Sequence, residues 1–296
     1  MAREGVTVFG GTGFLGRTIV RQLVKAHARV RIAVRYPAAE RADDVEQVQA
    51  DVRDEAAVGA AIAGAQAAVN VVGLYVEQGE ETFDAVHVQG ALHVARQAKH
   101  HGLGRLIHIS GIGAAPTSAS PYIRARAQGE LRVKKAFVGA TIIRPSVLFG
   151  PQDAFLNALD WISRLLPVVP LFGTGQTRLQ PVYVEDVAVA VAACLRDAAS
   201  VGKTYELGGA EVRTYREILQ QVLRHRGRRR ALLPVPFVIW DMLASGLSIL
   251  PAPPVTRDQI VLMRQDNVVH PGAESFEGLG VRPRSLSELL PFCLRQ

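Results

Sequence analysis

VTVFGGTGFLGRTIV, residues 6–20, decides the fold of this chain of 296 residues. Its β-rich start is followed by Gly10, Gly13 and Gly16 and then by apolar residues at helical spacing. In this context the first glycine permits a tight turn, the second lets backbone approach a pyrophosphate, and the third allows close helix packing. Unpaired N–H groups at the start of the helix favour an anion. The stretch therefore predicts a dinucleotide-binding site.

Short β-rich runs alternate with helical patterns along the first half of the chain, which is typical of parallel strands joined by crossover helices. The predicted strands are 6–10, 29–35, 45–51, 67–73, 105–111 and 140–146. The expected fold is α/β, with a doubly wound parallel sheet of the Rossmann type in residues 1–150. Residues 151–296 are expected to form a smaller, less regular substrate or partner region. Segment 180–210 is expected to return to the main domain, because 203–209 reads as a strand.

The second strand predicts which dinucleotide is bound. It ends in Arg35, where a site selective for NAD(H) usually carries an acidic residue for the ribose 2′-hydroxyl. A cation at this point can bond a 2′-phosphate, and Arg17 at the start of the first helix adds to the positive field. The sequence therefore favours NADP(H) over NAD(H). A solvated strand-end arginine is the alternative interpretation.

Other cofactor contacts are expected at the glycine loop and at the ends of the later strands. Asp51 lies where a carboxylate can accept from the adenine amino group, and Val52 can contact the ring. Residues 70–73, which include Val72 and Gly73, would form the wall beside the nicotinamide ribose. The remaining predicted contacts are Thr12, Phe14, Leu15 and Ser110. Their position depends on the register that the glycine loop sets.

Charge is concentrated in one segment of the second half. The net charge is +7, and RHRGRRR at 224–230 carries much of it. We expect either solvated helix-end arginines or contact with an acidic partner or an anionic lipid surface. Nucleic acid is not expected, because no recognisable binding module or aromatic interleaving accompanies these arginines.

The apolar segment 231–254 does not predict a transmembrane helix. Its prolines confine a helix to about 14 residues, short of the roughly 20 that a bilayer requires. A buried or interfacial amphipathic helix is expected instead. Thr214 with Glu217, and Ser285 with Glu288, have capping-box spacing and predict two helix starts.

Metal and disulfide chemistry are not expected. Cys194 and Cys293 lie far apart with no CxxC or Cys/His spacing, so a reducing compartment fits best. His100 and His101 are adjacent and point in different directions on a helix, so they do not form a natural metal pair. The carboxylates Glu185 and Asp186 are expected at the start of a helix, where negative charge complements the dipole.

Five stretches together carry a family resemblance that spans essentially the whole chain: TVFGGTGFLGR, YIRARAQGE, IIRPSVLFGPQDAFLN, QPVYVEDVA and DNVV. The chain resembles the extended and atypical short-chain dehydrogenase/reductase superfamily. Within it, the chain is similar to the NADPH-binding accessory subunit of respiratory complex I (NADH:ubiquinone oxidoreductase) and its bacterial relatives. The resemblance implies that Tyr122 occupies the catalytic tyrosine position and Arg126 the lysine position. It also implies that Pro145, Ser146 and Val147 form the loop beside the nicotinamide.

Two departures from the active pattern stand out. Arg126 remains cationic but is bulkier than lysine, and its planar fork does not simply replace an ammonium. Ile112 stands where active relatives carry a hydroxyl, with Thr117, Ser118 and Ser120 nearby as substitutes. A structural role for Tyr122 is therefore favoured over a catalytic one.

The resemblance implies an NADP(H)-binding accessory role in complex I, with weak or no catalysis. It places the chain in the cytoplasm or the mitochondrial matrix, peripheral to the inner membrane. An NADP-dependent oxidoreductase or epimerase acting on a small carbonyl or hydroxyl substrate, of quinone or isoprenoid type, is one alternative. A sensor of the NADPH/NADP ratio is another, and it requires a partner whose affinity differs between the two forms.

Overall fold

The computed structural model describes residues 5–37, 45–247 and 256–294. The chain divides into two compact units. Unit 1 comprises Met1–Pro145, Val184–Leu207 and Pro271–Arg282. Unit 2 comprises Ser146–Tyr183, Gly208–His270 and Pro283–Gln296.

Unit 1 is built on a parallel sheet. Its strands are β1 (Gly5–Phe9), β2 (Arg29–Val34), β3 (Val45–Gln49), β4 (Ala67–Asn70), β5 (Arg105–Ile109), β6 (Thr141–Pro145) and β11 (Thr204–Leu207). In the described residues these seven strands are ordered β11-β6-β5-β4-β1-β2-β3. The predicted strands and the doubly wound α/β fold are confirmed. The strand expected at 203–209 is β11, which pairs with β6 in parallel.

Helices cover the sheet of unit 1. They are α1 (Phe14–Lys25), α2 (Glu55–Ile62), α3 (Ala91–His100), α4 (Pro121–Ala136) and α6 (Val184–Arg196), with a π-helix at Asp84–Gly90 and short 3₁₀ turns at Ala198–Ser200 and Phe276–Leu279. Helix α1 packs against α6, and α3 packs against both α2 and α4. The apolar side chains of α2 and α3 meet those of the strands in one core cluster. Burial of this cluster is what holds the strand ends in fixed positions.

The local sequence explains where α1 and α4 begin. Gly13 is the N-cap of α1, and the predicted apolar stripe then turns Leu15, Ile19 and Leu23 into the core. Ser120 caps α4 by accepting a hydrogen bond from the Ile123 N–H at 3.2 Å. Proline at the first position of α4 costs no hydrogen bond, because that N–H has no partner inside the helix.

Unit 2 combines short strand pairs with helices. Its strands are β7 (Leu148–Phe149), β8 (Val168–Phe172), β9 (Arg178–Leu179), β10 (Val182–Tyr183), β12 (Arg213–Thr214) and β13 (Ala231–Val235). Its helices are α5 (Ala154–Leu165), α7 (Tyr215–His225), α8 (Phe237–Leu247), α9 (Arg257–Met263) and α10 (Leu286–Cys293). Strand β10 pairs with β7, so residues 182–183 do not join the main sheet. Both predicted capping boxes are formed, at the starts of α7 and α10.

Candidate functional site

The carboxyl ends of the strands of unit 1 form one edge, where the predicted cofactor residues are found. Gly10 follows β1, Arg35 follows β2, Asp51 lies just beyond β3, Val72 just beyond β4, and Ser110 follows β5. Because the strands are parallel, these residues lie along the same edge of the sheet. In open α/β sheets this edge is where ligands bind.

The three glycines of the loop differ in what they require. Gly10 has a φ of 80°, and a Cβ there would lie 2.9 Å from the Val72 amide nitrogen. A Cβ on Gly16 would lie 2.1 Å from the Gly10 carbonyl oxygen. The fold itself therefore requires glycine at positions 10 and 16, whether or not a ligand is bound. A Cβ on Gly13 would meet only the Gly10 oxygen, at 3.4 Å. The space beside exposed Gly13 fits the approach of a pyrophosphate to the helix N-terminus.

Some side chains around the glycine loop are exposed to solvent and others are buried in the core. Thr12 and Arg17 are exposed and Phe14 is half-buried. Leu15 is buried, so its backbone N–H, in the first turn of α1, is the group it can offer to an anion. The Arg17 N–H is used inside the structure, since it donates to the Gly13 carbonyl at 2.9 Å. The first turn of α1 is therefore a suitable anion site.

Two predicted ligand contacts already have protein partners. Arg35 forms an ion pair with Glu81. Arg53 donates to both carboxylate oxygens of Asp51, with the shortest contact, between Nη2 and Oδ2, at 2.7 Å. The hydrogen bond from Arg53 holds the pKa of Asp51 below its ordinary value. Sequence reasoning missed both partners. Glu81 lies 46 positions from Arg35, where no spacing pattern links the two, whereas Arg53 lies only two positions from Asp51.

Val52, Val72 and Gly73 occupy different environments. Val52 is buried in the core cluster of unit 1, where a Cβ on Gly90 would approach its Cγ2 to 2.8 Å. The Val72 N–H is held at 3.2 Å by the side-chain oxygen of Asn70. Gly73 is exposed, and a Cβ there would meet no atom of the described chain within 4 Å. Gly73 therefore borders open space at the end of β4, and its contact with a nicotinamide ribose stays a prediction.

Tyr122 and Arg126 lie one turn apart on α4 and contact each other directly. The guanidinium Nη1 donates a hydrogen bond to the phenol oxygen, and its central carbon lies 5.3 Å from the centre of the ring. Gly111 leaves room for this guanidinium, since a Cβ there would approach its carbon to 3.3 Å. Arg126 thus bonds the tyrosine hydroxyl itself.

Aromatic rings surround Tyr122 and seal it. Tyr75, Phe83 and His87 have ring centres 5.6, 5.6 and 5.5 Å from the tyrosine ring, and Tyr122 is only 5% exposed. Burial raises the pKa of Tyr122 to about 12, although the charge of Arg126 opposes the shift. The phenol is therefore neutral near pH 7, able to donate a proton weakly and unable to act as a base. The aromatic surround was not predicted from sequence.

Two buried histidines accompany this site. Burial, reinforced by the positive charge of Arg126, lowers the pKa of His87 to about 4. Burial lowers the pKa of His108 to about 4 as well. His87 Nε2 lies 2.9 Å from the Leu74 carbonyl oxygen, and His108 Nδ1 lies 3.3 Å from Asn70 Nδ2. Both imidazoles are neutral near pH 7, so Arg126 is the cation beside the tyrosine.

The hydroxyl candidates near the tyrosine are mostly occupied. Ile112 is buried, and Ser120 and Ser118 cap or brace the start of α4 through their side-chain oxygens. The Ser110 side-chain oxygen is buried and has no hydrogen-bond partner in the described chain. Arg126 Nε is likewise buried without a partner there. Orphaned polar atoms of this kind fit a site that a polar ligand completes.

A comparison of the sequence with protein families decides the classification. Residues 6–208 match the model of the NAD dependent epimerase/dehydratase family. The chain belongs to this family. The match runs through the glycine loop, the tyrosine helix and strand β11, which are the elements that build unit 1.

Two relatives match almost the whole length of the chain. The mitochondrial NADH dehydrogenase [ubiquinone] 1 alpha subcomplex subunit 9 of Arabidopsis thaliana is 35% identical, over 95% of this chain and 74% of that protein. Its counterpart in Mus musculus is 30% identical, over 95% and 77%.

Solved structures show the same fold. The NADPH-dependent quinone oxidoreductase of Escherichia coli, complexed with NADPH, has a TM-score of 0.77 at 19% identity, covering 98% of this chain and 100% of that one. The UDP-glucose 4-epimerase of Thermus thermophilus, complexed with NAD, has a TM-score of 0.64 at 23% identity, covering 78% and 86%. At these identities the likeness concerns the fold alone.

The predicted loop 145–147 is divided between the units. Pro145 ends β6 in unit 1, whereas Ser146 and Val147 belong to unit 2. There the side-chain oxygen of Asn267 accepts hydrogen bonds from the Ser146 hydroxyl at 2.6 Å and from the Val147 N–H at 3.1 Å. Asn267 therefore fixes the start of unit 2, and its place in the DNVV motif was the one available signal.

The sequence predicts neither a metal-binding cluster, nor a disulfide, nor a helix long enough to span a membrane. No group of three or more metal-binding side chains occurs in the described residues. Cys194 and Cys293 are buried and free. None of the helices described combines the length and the apolar character that spanning a bilayer requires. Glu185 and Asp186 lie in the first turn of α6, as expected.

Proposed function

We propose that this chain holds a nicotinamide dinucleotide as a resident ligand and serves as an accessory subunit of a respiratory assembly of the complex I type, with little or no turnover. The observation that carries the proposal is the contrast within unit 1. The glycine loop has open space for a pyrophosphate at Gly13, whereas the phenol of Tyr122 is sealed by rings and bonded to Arg126. The relatives at 30–35% identity are named as subunits of a mitochondrial NADH dehydrogenase [ubiquinone], which supports the choice of partner.

The residues of unit 1 would divide the work of binding. The first turn of α1 would take the pyrophosphate and Asp51 would face the adenosine half. Arg126 would bond the nicotinamide ribose through donors such as its orphaned Nε. When bound, the dinucleotide can supply or accept a hydride. Tyr122, with its raised pKa, would cover the ring and keep water away from it.

We further propose that the ligand is NADP(H). Arg35 is half exposed and its partner Glu81 lies on the loop before the π-helix. A 2′-phosphate would compete with this carboxylate for the guanidinium, and charge-assisted bonds to phosphate are strong. Arg17, also exposed, adds positive charge at the start of α1.

We place the chain at the surface of the membrane that carries the assembly. In unit 2, Trp240 anchors α8 through a 3.0 Å hydrogen bond to the Leu171 carbonyl. The opposite face of α8 exposes Val238 (67%) and Met242 (70%) to solvent. An exposed apolar helix face, in a helix that follows the basic segment 224–230 closely in sequence, suits an anionic membrane surface.

The test is to purify the native protein and record its absorbance and fluorescence before and after denaturation. We expect a released nucleotide with the spectrum of reduced nicotinamide, identified as NADPH by mass, and sedimentation of the protein with complex I. Protein that carries no nucleotide, binds none, and never sediments with complex I would refute the proposal.

A reductase is the second candidate, and one observation favours it. Ser110, Tyr122 and Arg126 retain a hydroxyl, a phenol and a cation at the end of β5 and in the first turns of α4, and the Ser110 hydroxyl has no partner in the described residues. In such an enzyme Tyr122 would donate the proton to a carbonyl oxygen. NADPH oxidation with small carbonyls or quinones that Tyr122→Phe abolishes would support this function. No oxidation by any acceptor would retire it.

A further inference from the structure

A cavity of about 550 Å³, widely open to the surface, lies in unit 2 beside the end of α7. Its lining includes four arginines, Arg224, Arg228, Arg229 and Arg230, together with Gln220 and aliphatic side chains. No carboxylate is among the lining residues of the described chain. The cavity is therefore cationic and partly apolar, and its volume is in the usual range for a small-molecule site.

Helix α5 holds two of the lining arginines, Arg228 and Arg230, together with the neighbouring Arg226. Arg226 donates through Nε and Nη2 to the two carboxylate oxygens of Asp160, at 2.9 and 2.8 Å. Arg228 donates through Nη1 to Asp160 Oδ1 at 2.6 Å and to the Ser163 hydroxyl at 2.8 Å. Arg230 Nε donates to the Ser163 carbonyl at 3.0 Å. Side chains held in place in this way lose little conformational entropy when a ligand binds.

The same contacts leave positive charge uncompensated. Asp160 is the single carboxylate paired with the segment 224–230 in the described residues, and it serves both Arg226 and Arg228. Burial acts to raise the pKa of Asp160, but the bonds from these arginines outweigh it and hold the pKa below its ordinary value. Arg224 and Arg229 are exposed and form no ion pair in the described chain. Several like charges around one cavity repel unless an anion joins them.

The donor geometry selects the kind of anion. All the recorded bonds of Arg228 use Nη1, so its Nε and Nη2 have no partner in the described part of the chain. Guanidinium forks match the oxygens of a phosphate and bind two of them at once. The aliphatic wall, including Leu223 and Leu232, adds an apolar surface that an inorganic ion cannot use.

We propose that this cavity binds the phosphate group of a partly apolar phosphate ester. The shared chemistry is a phosphate in the arginine cluster with its organic substituent against the leucines. It can be presented by a lipid headgroup or by a soluble phosphate ester. The proposal does not depend on the dinucleotide site, because that site is built by unit 1 and the cavity by unit 2.

The test uses full-length protein saturated with NADPH, so that the dinucleotide site is not available to phosphate. Calorimetric titration with inorganic phosphate and with glycerol 3-phosphate, at constant ionic strength, measures binding. The pocket variant is Arg224→Gln/Arg229→Gln, which leaves the bonds to Asp160 intact. The matched control is Arg132→Gln/Arg196→Gln, which removes two exposed arginines of unit 1. We expect the pocket variant to bind glycerol 3-phosphate at least about tenfold more weakly, and the control to bind normally.

Vesicles distinguish the two sources of phosphate. They are made of phosphatidylcholine alone or with phosphatidic acid. If a headgroup is the ligand, the protein sediments with phosphatidic acid vesicles, the pocket variant does not, and glycerol 3-phosphate competes. If a soluble ester is the ligand, calorimetry shows binding and the vesicles retain no protein. Absence of phosphate binding in both formats, or equal losses in the pocket and control variants, would overturn the proposal.

Discussion

Two glycines of the loop, three residues apart, should respond in opposite ways to the same substitution. A methyl group on Gly13 lies 3.4 Å from the Gly10 oxygen and meets nothing closer, and the φ of −71° and ψ of 174° at Gly13 suit alanine. We expect Gly13→Ala to change the free energy of unfolding of the nucleotide-free protein by no more than about 1 kcal/mol. A methyl group on Gly16 lies 2.1 Å from the same oxygen. Because α1 must shift to relieve this overlap, Gly16→Ala should cost about 3 kcal/mol or more.

Gly13→Ala should weaken nucleotide binding even though it leaves the stability of the protein nearly unchanged. The methyl of Gly13→Ala occupies the space that a pyrophosphate needs, and one lost charge-assisted hydrogen bond costs about 1.5–3 kcal/mol. The Kd for NADPH should therefore rise by about ten- to a hundredfold in a protein that remains folded.

The assay pairs urea unfolding of the nucleotide-free protein with calorimetric titration of NADPH. Gly16→Ala is the comparison, since it damages the fold first and loses binding as a consequence. The reasoning is refuted if Gly13→Ala binds NADPH with the affinity of the unsubstituted protein, or if it unfolds as easily as Gly16→Ala.

Three further predictions concern charge and proton transfer. Arg35→Asp should shift the ratio of NADPH to NADH affinity at least about tenfold toward NADH, because it removes the partner of the 2′-phosphate. Fluorescence titration of both nucleotides measures the ratio, and an unchanged ratio contradicts the prediction. Arg126→Lys should raise the rate of NADPH oxidation by carbonyl compounds above that of the unsubstituted protein, because a compact ammonium can release the phenol of Tyr122. Adding Tyr122→Phe should abolish this gain. A gain that persists in the double variant would show that Tyr122 is not responsible for the activity. The folded pKa of His108 is about 4, below the ordinary 6.5, so its contribution to the free energy of unfolding is present above pH 6.5 and is lost as the pH falls toward 4, by up to about 3 kcal/mol. In urea unfolding measured at a series of pH values, His108→Gln should reduce the loss of stability between pH 6.5 and 4. An unchanged loss would exclude this histidine as its cause.

Much of unit 1, together with two helix starts of unit 2, is encoded locally, and sequence reasoning found these elements for that reason. The β-rich runs, the helical stripe after Gly16 and the capping boxes at Thr214 and Ser285 depend on neighbours within a few residues. Such patterns reflect backbone propensity and periodic burial, which a linear chain displays directly. The return of 203–209 to the main sheet was also accessible, because this segment has strand character of its own, but its pairing with β6 was not.

The surroundings of the site residues were not accessible in the same way. Glu81 pairs with Arg35 across 46 positions of sequence, and Tyr75 reaches Tyr122 across 47. The arginine cavity forms because α5 supplies Asp160 to a segment more than 60 residues away. Contacts of this length have no periodicity, since they arise only when the chain has folded.

The sequence by itself determined the parallel sheet, the glycine loop at its edge, and the presence of arginine where lysine is expected. Only the tertiary structure decided that the phenol of Tyr122 is sealed, that its pKa rises to about 12, and that the buried His87 and His108 are neutral. The physical reason is that protonation depends on burial and on nearby charges, and both are properties of packing in three dimensions.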